Sequence, residues 1–324
     1  MLRILHGTSY DFIKYWRHAA VITIAFIVVG LSVLFVGGAH YSIEFTGGTT
    51  MQVEFSQPPN PDVIRSTVDH AGFGGSTIQQ FGSPTEYTIN AQPRSGNAEF
   101  GAVDSTAKQI EAALHAQFGD TSHVRVISSQ FVGAQVGSEL RRNAMVAVLI
   151  SFLVTLVYLA IRFEWRFGVA AVVATAHDIF TTLAFLSMMR LEISLTVVAA
   201  ILTVIGYSLN DTIIIFDRVR EDLRKQRKES LRDTMNRAIN ETLPRSVLTH
   251  VTTLVATLAL LVFAGEVIRP FSWIMAFGIF TGTFSSIYVA GALLIWIEAK
   301  WPPSVEGRGA AAAAQAARRR QVAP

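Results

Sequence analysis

Long apolar runs separated by short polar stretches dominate this chain. Six of them reach the roughly 17–25 mainly apolar residues that a helix needs to cross a bilayer. They are Ala19–Gly38, Asn143–Ile161, Phe167–Met188, Ile193–Phe216, Ser246–Phe263 and Phe271–Ile297. The last is long enough to tilt or to protrude. The first follows Arg3, Lys14 and Arg17, as the apolar core of a signal peptide does. It exceeds the about 7–15 residues of such a core, and Gly37-Gly38-Ala39-His40 is a poor cleavage site. It is therefore expected to remain as a span.

Between the first two runs the pattern changes. Thr49–Phe55 alternates and is rich in β-formers, which predicts a strand. Pro61 opens a helix reaching Ala71, with Asn60 as its N-cap. Ser76–Phe81 and Tyr87–Ala91 flank the turn Gly82-Ser83-Pro84 and read as a hairpin. Val103–Phe118 is amphipathic and is stopped by Gly119, and Val124–Phe131 is a last strand. The order β-α-β-β-α-β predicts a ferredoxin-like α+β domain over residues 39–142. The fold class is then a polytopic α-helical membrane protein with six spans and one α+β domain between the first and second. His70, His115 and His123 are scattered through that domain without a nucleophile–base pair or metal-ligand spacing. They read as surface or packing residues, and no cofactor or metal is expected.

Composition agrees with the runs. Charged residues make up 16% of the chain, where a soluble chain carries about 25%. The absence of cysteine excludes disulfides, thiol catalysis and cysteine zinc sites. The net charge of +3 is small, and the basic residues are clustered without interleaved aromatics, so nucleic acid is not an expected partner. The clusters bear on topology instead. Arg218, Arg220, Arg224, Lys225, Arg227, Lys228, Arg232, Arg237 and Arg245 follow the fourth span, and Arg162 and Arg166 follow the second. Lys300 and Arg318–Arg320 follow the sixth, whereas the short loops on the other side hold Arg190 and Arg269. The positive-inside rule then places residues 1–18, the charged loop 217–245 and the tail 298–324 in the cytoplasm, and 39–142 outside. Arg141 and Arg142 lie on the wrong side for the rule, which long translocated domains escape. Asp217–Glu241 reads as a surface helix, and the tail from Gly307 is low in complexity and reads as disordered.

Charges inside the spans need a reason, since each costs roughly 2.5–3.5 kcal/mol near the helix centre. His177 and Asp178 lie near the middle of the third span. Asn210 and Asp211 lie about six residues from the end of the fourth, roughly 9 Å deep, and Asp217 lies at its boundary. At 100° per residue, Thr203, Tyr207, Asn210, Asp211 and Asp217 share an arc of about 120°. On the fifth span Arg245, Thr249, Thr252 and Ala256 form a narrow stripe, and His250 points away from it. The two spans form an antiparallel hairpin, so Asp211 and Arg245 can approach. Burial raises a carboxyl pKa and a nearby guanidinium lowers it, so such a pair is a proton switch. Plainer readings stay open. Arg245 also serves as an inside-flanking charge, Asp217 as the salt-bridge partner of Arg218, and His177–Asp178 as a structural pair between helices.

Four segments of the chain carry a resemblance. These are Ile43–Phe55 (IEFTGGTTMQVEF), Gln130–Leu140 (QFVGAQVGSEL), Gly206–Glu221 (GYSLNDTIIIFDRVRE) and Ile239–Leu254 (INETLPRSVLTHVTTL). Together they resemble the SecF family, the smaller subunits of the SecD–SecF complex of bacterial protein export, over about residues 15–300. Phe45, Gly47, Gly48 and Thr49 match the family's F-x-G-G-T signature. Glu44 departs from the family's usual Asp, and Ala134 from its frequent Pro. The resemblance implies a multi-pass protein of the bacterial inner membrane with both termini in the cytoplasm. It implies a SecD-like subunit, the SecYEG channel with its other accessory subunits, and an exported polypeptide as partners. It also implies a resistance-nodulation-division-like motor in which proton movement drives the outer domains. Asp211 then matches the family's membrane aspartate and Arg245 its arginine, with Asn210, Tyr207, Asp217, His177, Asp178, Thr249 and Thr252 as supporting polar groups. Two rivals are a passive translocase scaffold and a small-molecule exporter of the same superfamily. Six spans and one small domain count against the exporter. No phosphate loop, catalytic triad or metal cluster suggests an enzyme.

Overall fold

A computed structural model describes residues 8–91, 103–119, 123–225, 229–265 and 267–302. Among the described residues, six helical rods are long and apolar enough to cross a membrane. They are α1 (Trp16–Gly37), α5 (Ala134–Arg162), α6 (Trp165–Met188), α7 (Leu195–Lys225), α8 (Leu231–Phe263), and a sixth rod of three parts. That rod joins α9 (Arg269–Phe284), a π-helical turn (Ser285–Ala290) and α10 (Gly291–Lys300). Arg3, Arg227, Lys228 and the tail from Gly307 lie outside the described residues.

Half of the most apolar stretch of α6, of α7 and of the sixth rod is buried, against 17% for α1 and α8 and 6% for α5. The first three are therefore the centre of the bundle, and the others turn apolar faces outward. Small residues let the rods approach closely. A Cβ added to Gly30 would lie 2.3 Å from that of Ala184, and one on Gly278 2.2 Å from Val204. Trp16, Trp165, Trp296 and Trp301 gather at the basic end of the bundle, where Arg17, Arg166 and Lys300 lie over their rings. Such an aromatic and basic rim is what a membrane interface selects.

The charged segment after the fourth span is not the separate surface helix that its composition predicts. α7 runs on to Lys225, and α8 begins at Leu231 with Ser230 as its cap. Opposite charges hold the two extensions together. Arg218 pairs with Glu241, and Arg237 with both Glu229 and the buried Asp222. Asp217 pairs with Arg162 at the end of α5, at 2.6 Å, rather than with Arg218. The segment before α1 also docks here. Asp11 accepts from Asn236 (2.7 Å) and Arg232 (3.1 Å), and Tyr10 exchanges backbone bonds with Asn240.

The α+β domain follows α1. Its elements are a short helix α2 (Ile43–Thr46), then β1 (Gly48–Phe55), α3 (Pro61–His70), β2 (Thr77–Gln80), β3 (Glu86–Ala91), α4 (Val103–Phe118) and β4 (Val124–Val132). The strand order β2-β3-β1-β4, antiparallel throughout, is the ferredoxin-like arrangement. Met51, Val53, Phe55, Ile89 and Ala91 meet Ile64 and Val68 of α3 and Ile110 and Leu114 of α4 in one core. Alternation places Thr50, Gln52, Thr88 and Asn90 on the other, polar face.

The glycine signature makes the join between domain and bundle. Gly47 has φ +74°, and a Cβ there would lie 2.7 Å from Cα of Ala134, at the start of α5. Phe45 and Thr49 on either side are buried. Glu44 caps α7, accepting the Leu195 N–H at 2.6 Å. Backbone bonds join Ser42 and His40 to Ile193 (3.0 and 2.7 Å). Glu192 accepts from Gln79 of β2 (3.2 Å) and Asn90 of β3 (3.1 Å). Burial there raises the Glu192 carboxyl above its ordinary 4.5, against the opposing pull of those amides and of His40.

Two predictions follow from the join. Gly47→Ala forces both a left-handed residue and a backbone clash, a strain of about 1–3 kcal/mol. It lowers the thermal unfolding midpoint in detergent, whereas Gly37→Ala, with nothing within 4 Å of its Cβ, leaves it unchanged. Because the docked carboxyl pKa is raised, docking is favoured below the free value and weakens as pH rises through the raised one. A spin-label distance between the domain and the α6–α7 connection therefore lengthens or broadens with rising pH, and Glu192→Gln removes the dependence.

Candidate functional site

The apolar middle of the bundle surrounds two Asp–His pairs. α7 carries Asp211, which is 3% exposed. Its Oδ2 lies 3.0 Å from Nε2 of His250 on α8. On its other edge the imidazole meets Thr283 of α9, with Nδ1 at 3.1 Å. Thr283 also lies 3.0 Å from the Ile279 carbonyl; when its hydroxyl donates there, it accepts from the ring. Nε2 then either donates to a carboxylate or accepts from a protonated Asp211. In both cases one shared proton fills the gap. Tyr207, one turn before Asp211, donates to the Thr249 carbonyl (3.1 Å), bonds Thr253 (3.3 Å) and sets its ring edge-on to His250.

A cavity of about 10 Å³ opens beside Asp211 on the side of the α7–α8 connection, with Thr242, Ser246 and Thr283 among its lining. It has room for about one water. Ser246 is buried, and its hydroxyl has no partner. An orphaned polar atom on a water-sized cavity next to a buried carboxyl is a place for an ordered water.

The second pair is His177–Asp178 on α6. Asp178, 1% exposed, lies 3.1 Å from His177 Nδ1 and accepts from Ser208 of α7 (2.5 Å) and Ser285 of the π-helical turn (2.8 Å). His177 Nε2 reaches Thr23 of α1 at 2.6 Å.

The structure thus corrects the pairing that helical spacing suggested. Arg245 is exposed and forms no ion pair with Asp211; His250 occupies that place. Thr249 and Thr252 bond carbonyls of their own helix, and Thr252, Thr203 and Asn210 are exposed on the outer face of the bundle. The polar arc of α7 is therefore divided. Asp211 and half-buried Tyr207 face inward to α8 and α9, and Asn210 and Thr203 face out. His250 was missed because the stripe through Arg245 runs along another side of α8. Ser208, Thr283 and Ser285 were missed because small hydroxyls inside spans carry little pattern. The useful signal was that His250 is the ionisable residue within its apolar run.

Comparison with known proteins gives a consistent assignment. A family model described as SecD/SecF GG Motif matches residues 32–59. A second, Protein export membrane protein SecD/SecF, C-terminal, matches 111–300. The protein translocase subunit SecF of Gemmatimonas aurantiaca is 56% identical over 305 residues, covering 93% of this chain and 91% of that one. The one from Vibrio alginolyticus is 40% identical, covering 96% and 98%. Among solved structures, SecDF from Thermus thermophilus, a translocon-associated membrane protein, matches at a TM-score of 0.81 with 35% identity over 92% of this chain. SecDF in a super-membrane-facing form matches at 0.65 with 34% identity over 95%. This chain spans 40% of the length of each of those SecDF chains. Six spans, a ferredoxin-like domain joined to them through a glycine signature, and these matches place the chain in the SecF family of protein translocase subunits.

Proposed function

We propose that this subunit carries protons through its membrane bundle and uses them, with a SecD-type partner, to move its α+β domain during protein export. The observation that carries the reading is Asp211, a buried carboxyl 3.0 Å from Nε2 of His250 beside a water-sized cavity. Among the described residues no lysine or arginine is paired with this carboxyl, and the cavity offers an exit towards the basic end. On the positive-inside rule that end, both termini included, faces the cytoplasm of a bacterium, and the α+β domain faces the exported polypeptide. SecYEG and its accessory subunits are the machinery in which such a motion has use.

Polar groups on the outer face of the bundle support a place for the partner. Asn210 and Thr203 on α7 and Arg245 and Thr252 on α8 are exposed, an expensive arrangement unless another chain covers it. An acidic group from that chain is the natural mate of Arg245 and completes the relay. Arg245 and His250 stand about 140° apart around α8 at 100° per residue, so a turn of that helix exchanges one for the other at Asp211. One charge crossing 100 mV supplies about 2.3 kcal/mol, or roughly fifty-fold in a two-state equilibrium. That suffices to bias a domain swing.

The test is export into inverted membrane vesicles holding the subunit with its partner. Asp211→Asn is nearly isosteric. It leaves the complex assembled and abolishes the stimulation of export by the proton-motive force; full stimulation would make the subunit a passive scaffold. Arg245→Lys keeps the topology signal but loses the planar, permanently charged fork. Proton-driven export falls in that variant and falls further in Arg245→Met, whereas wild-type activity in the lysine variant would reduce Arg245 to a flanking charge.

A further inference from the structure

The relay through Asp211 leaves Asp178 and His177 without a task, although they form the more deeply buried pair. Three side chains on three elements converge on them: Thr23 of α1 on the imidazole, and Ser208 of α7 and Ser285 of the π-helical turn on the carboxylate. The two pairs also share their supports. Ser208 precedes Asp211 by three residues on α7, about 4.5 Å along the axis. Ser285 lies two residues beyond Thr283, which holds His250. Between them, Ser286 bonds Thr212 at 2.8 Å and the Ser208 carbonyl at 3.5 Å. π-helical turns are rare and concentrate at functional sites. This one lets consecutive serines serve different neighbours, Ser285 the Asp178 carboxylate and Ser286 the hydroxyl next to Asp211.

A structural role does not require the acid. Two serine hydroxyls donate as well to an asparagine carbonyl, which costs far less to bury than a carboxylate. Among the described residues Asp178 is met by His177, Ser208 and Ser285 and not by lysine or arginine. Arg17 of α1, Arg162 of α5, Arg220 of α7 and Lys300 of α10 sit at the basic end of the bundle, and none pairs with it. The titratable groups around it are His177 on its own helix and Asp211 with His250 across α7; α1 and the π-helical turn contribute hydroxyls. The carboxyl and the imidazole lie 3.1 Å apart, within hydrogen-bond distance, in apolar surroundings.

We infer that Asp178 and His177 are a second proton station, placed on the α+β-domain side of Asp211, which loads Asp211 from within this chain. The inference rests on the proton-relay reading of Asp211. α7 runs from the α+β domain towards the basic end, so a proton entering from the domain side meets Ser208 and Asp178 before Asp211. The transfer conserves hydroxyls. When Asp178 is protonated, the Ser208 hydroxyl turns from it towards Asp211, three residues on along α7. Asp178 gives its proton to the Ser208 oxygen as Ser208 passes its own to the Asp211 carboxylate, leaving Asp178 a carboxylate, Asp211 an acid and Ser208 a hydroxyl. Thr23 orients the ring of His177, and Ser285 holds the carboxylate in place as its charge changes.

The experiment uses the full chain with its partner in proteoliposomes, with proton uptake followed by an internal pH dye. Infrared difference spectra across a pH step follow the carbonyl band of protonated carboxyls. In the wild type two buried carboxyls titrate. Asp178→Asn removes one band, keeps the Asp211 band and slows uptake by about 100-fold, the usual worth of a positioned proton-transfer group. Should that variant fail to assemble, the double variant Ser208→Ala, Ser285→Ala keeps both acids but removes the hydroxyl path, and slows uptake while both bands persist. Wild-type uptake in Asp178→Asn or in the serine double variant, with Asp211→Asn inactive, overturns the second station and leaves the Asp211 relay standing. Wild-type uptake in Asp211→Asn overturns both.

Discussion

An apolar bundle can hold a carboxyl group only if every lone pair and every proton on it has somewhere to go. That constraint organises the centre of this subunit. Among the described residues Asp178 and Asp211 are met by hydroxyls and imidazoles and not by lysine or arginine, and these groups reach only over short distances. α7 and α9 therefore have to run close together. Gly278 and Gly282 make this possible, for a Cβ on either would collide with Val204 or Ser208. The π-helical turn follows where the sixth rod must present two serines in succession. Packing by small residues and the bonding of the acids are one requirement seen twice.

Much of this architecture was legible in the sequence. The six spans follow from run length, because no soluble core needs twenty successive apolar residues. The α+β domain follows from alternation and turn residues between Thr49 and Val132. Asp211 announced itself by depth alone. Azimuth was harder. Periodicity tells which residues of one helix share a face, but not which neighbour that face meets. The stripe Arg245–Thr249–Thr252 is real, yet it looks outward, and His250 on another side of α8 takes the contact. The charged segment after α7 was misread for a related reason. Its composition is that of a solvated helix, and only the pairing of Arg218 and Arg237 with Asp222, Glu229 and Glu241 shows two helices held side by side.

The α+β domain is not loosely tethered. α7 is capped by Glu44, its preceding loop is bonded to residues 40–42, and Glu192 in that loop holds two strands of the sheet. The helix that carries Asp211 thus ends at the domain itself. A few hydrogen bonds thus connect the start of α7 to the domain, and Gly47 lets the domain sit against the start of α5.

The docking of Tyr10–Ile13 on α8 has a consequence for how the protein is made. Tyr10 and Asn240 bond across 230 residues of sequence, so the first span leaves the ribosome long before its partner exists. Until α8 is made, the segment before α1 has unmatched bonds at Tyr10 and Ile13. Contacts this distant in sequence form late. Closure of the bundle, and with it the shielding of both acids from lipid and water, is therefore among the last events of biosynthesis.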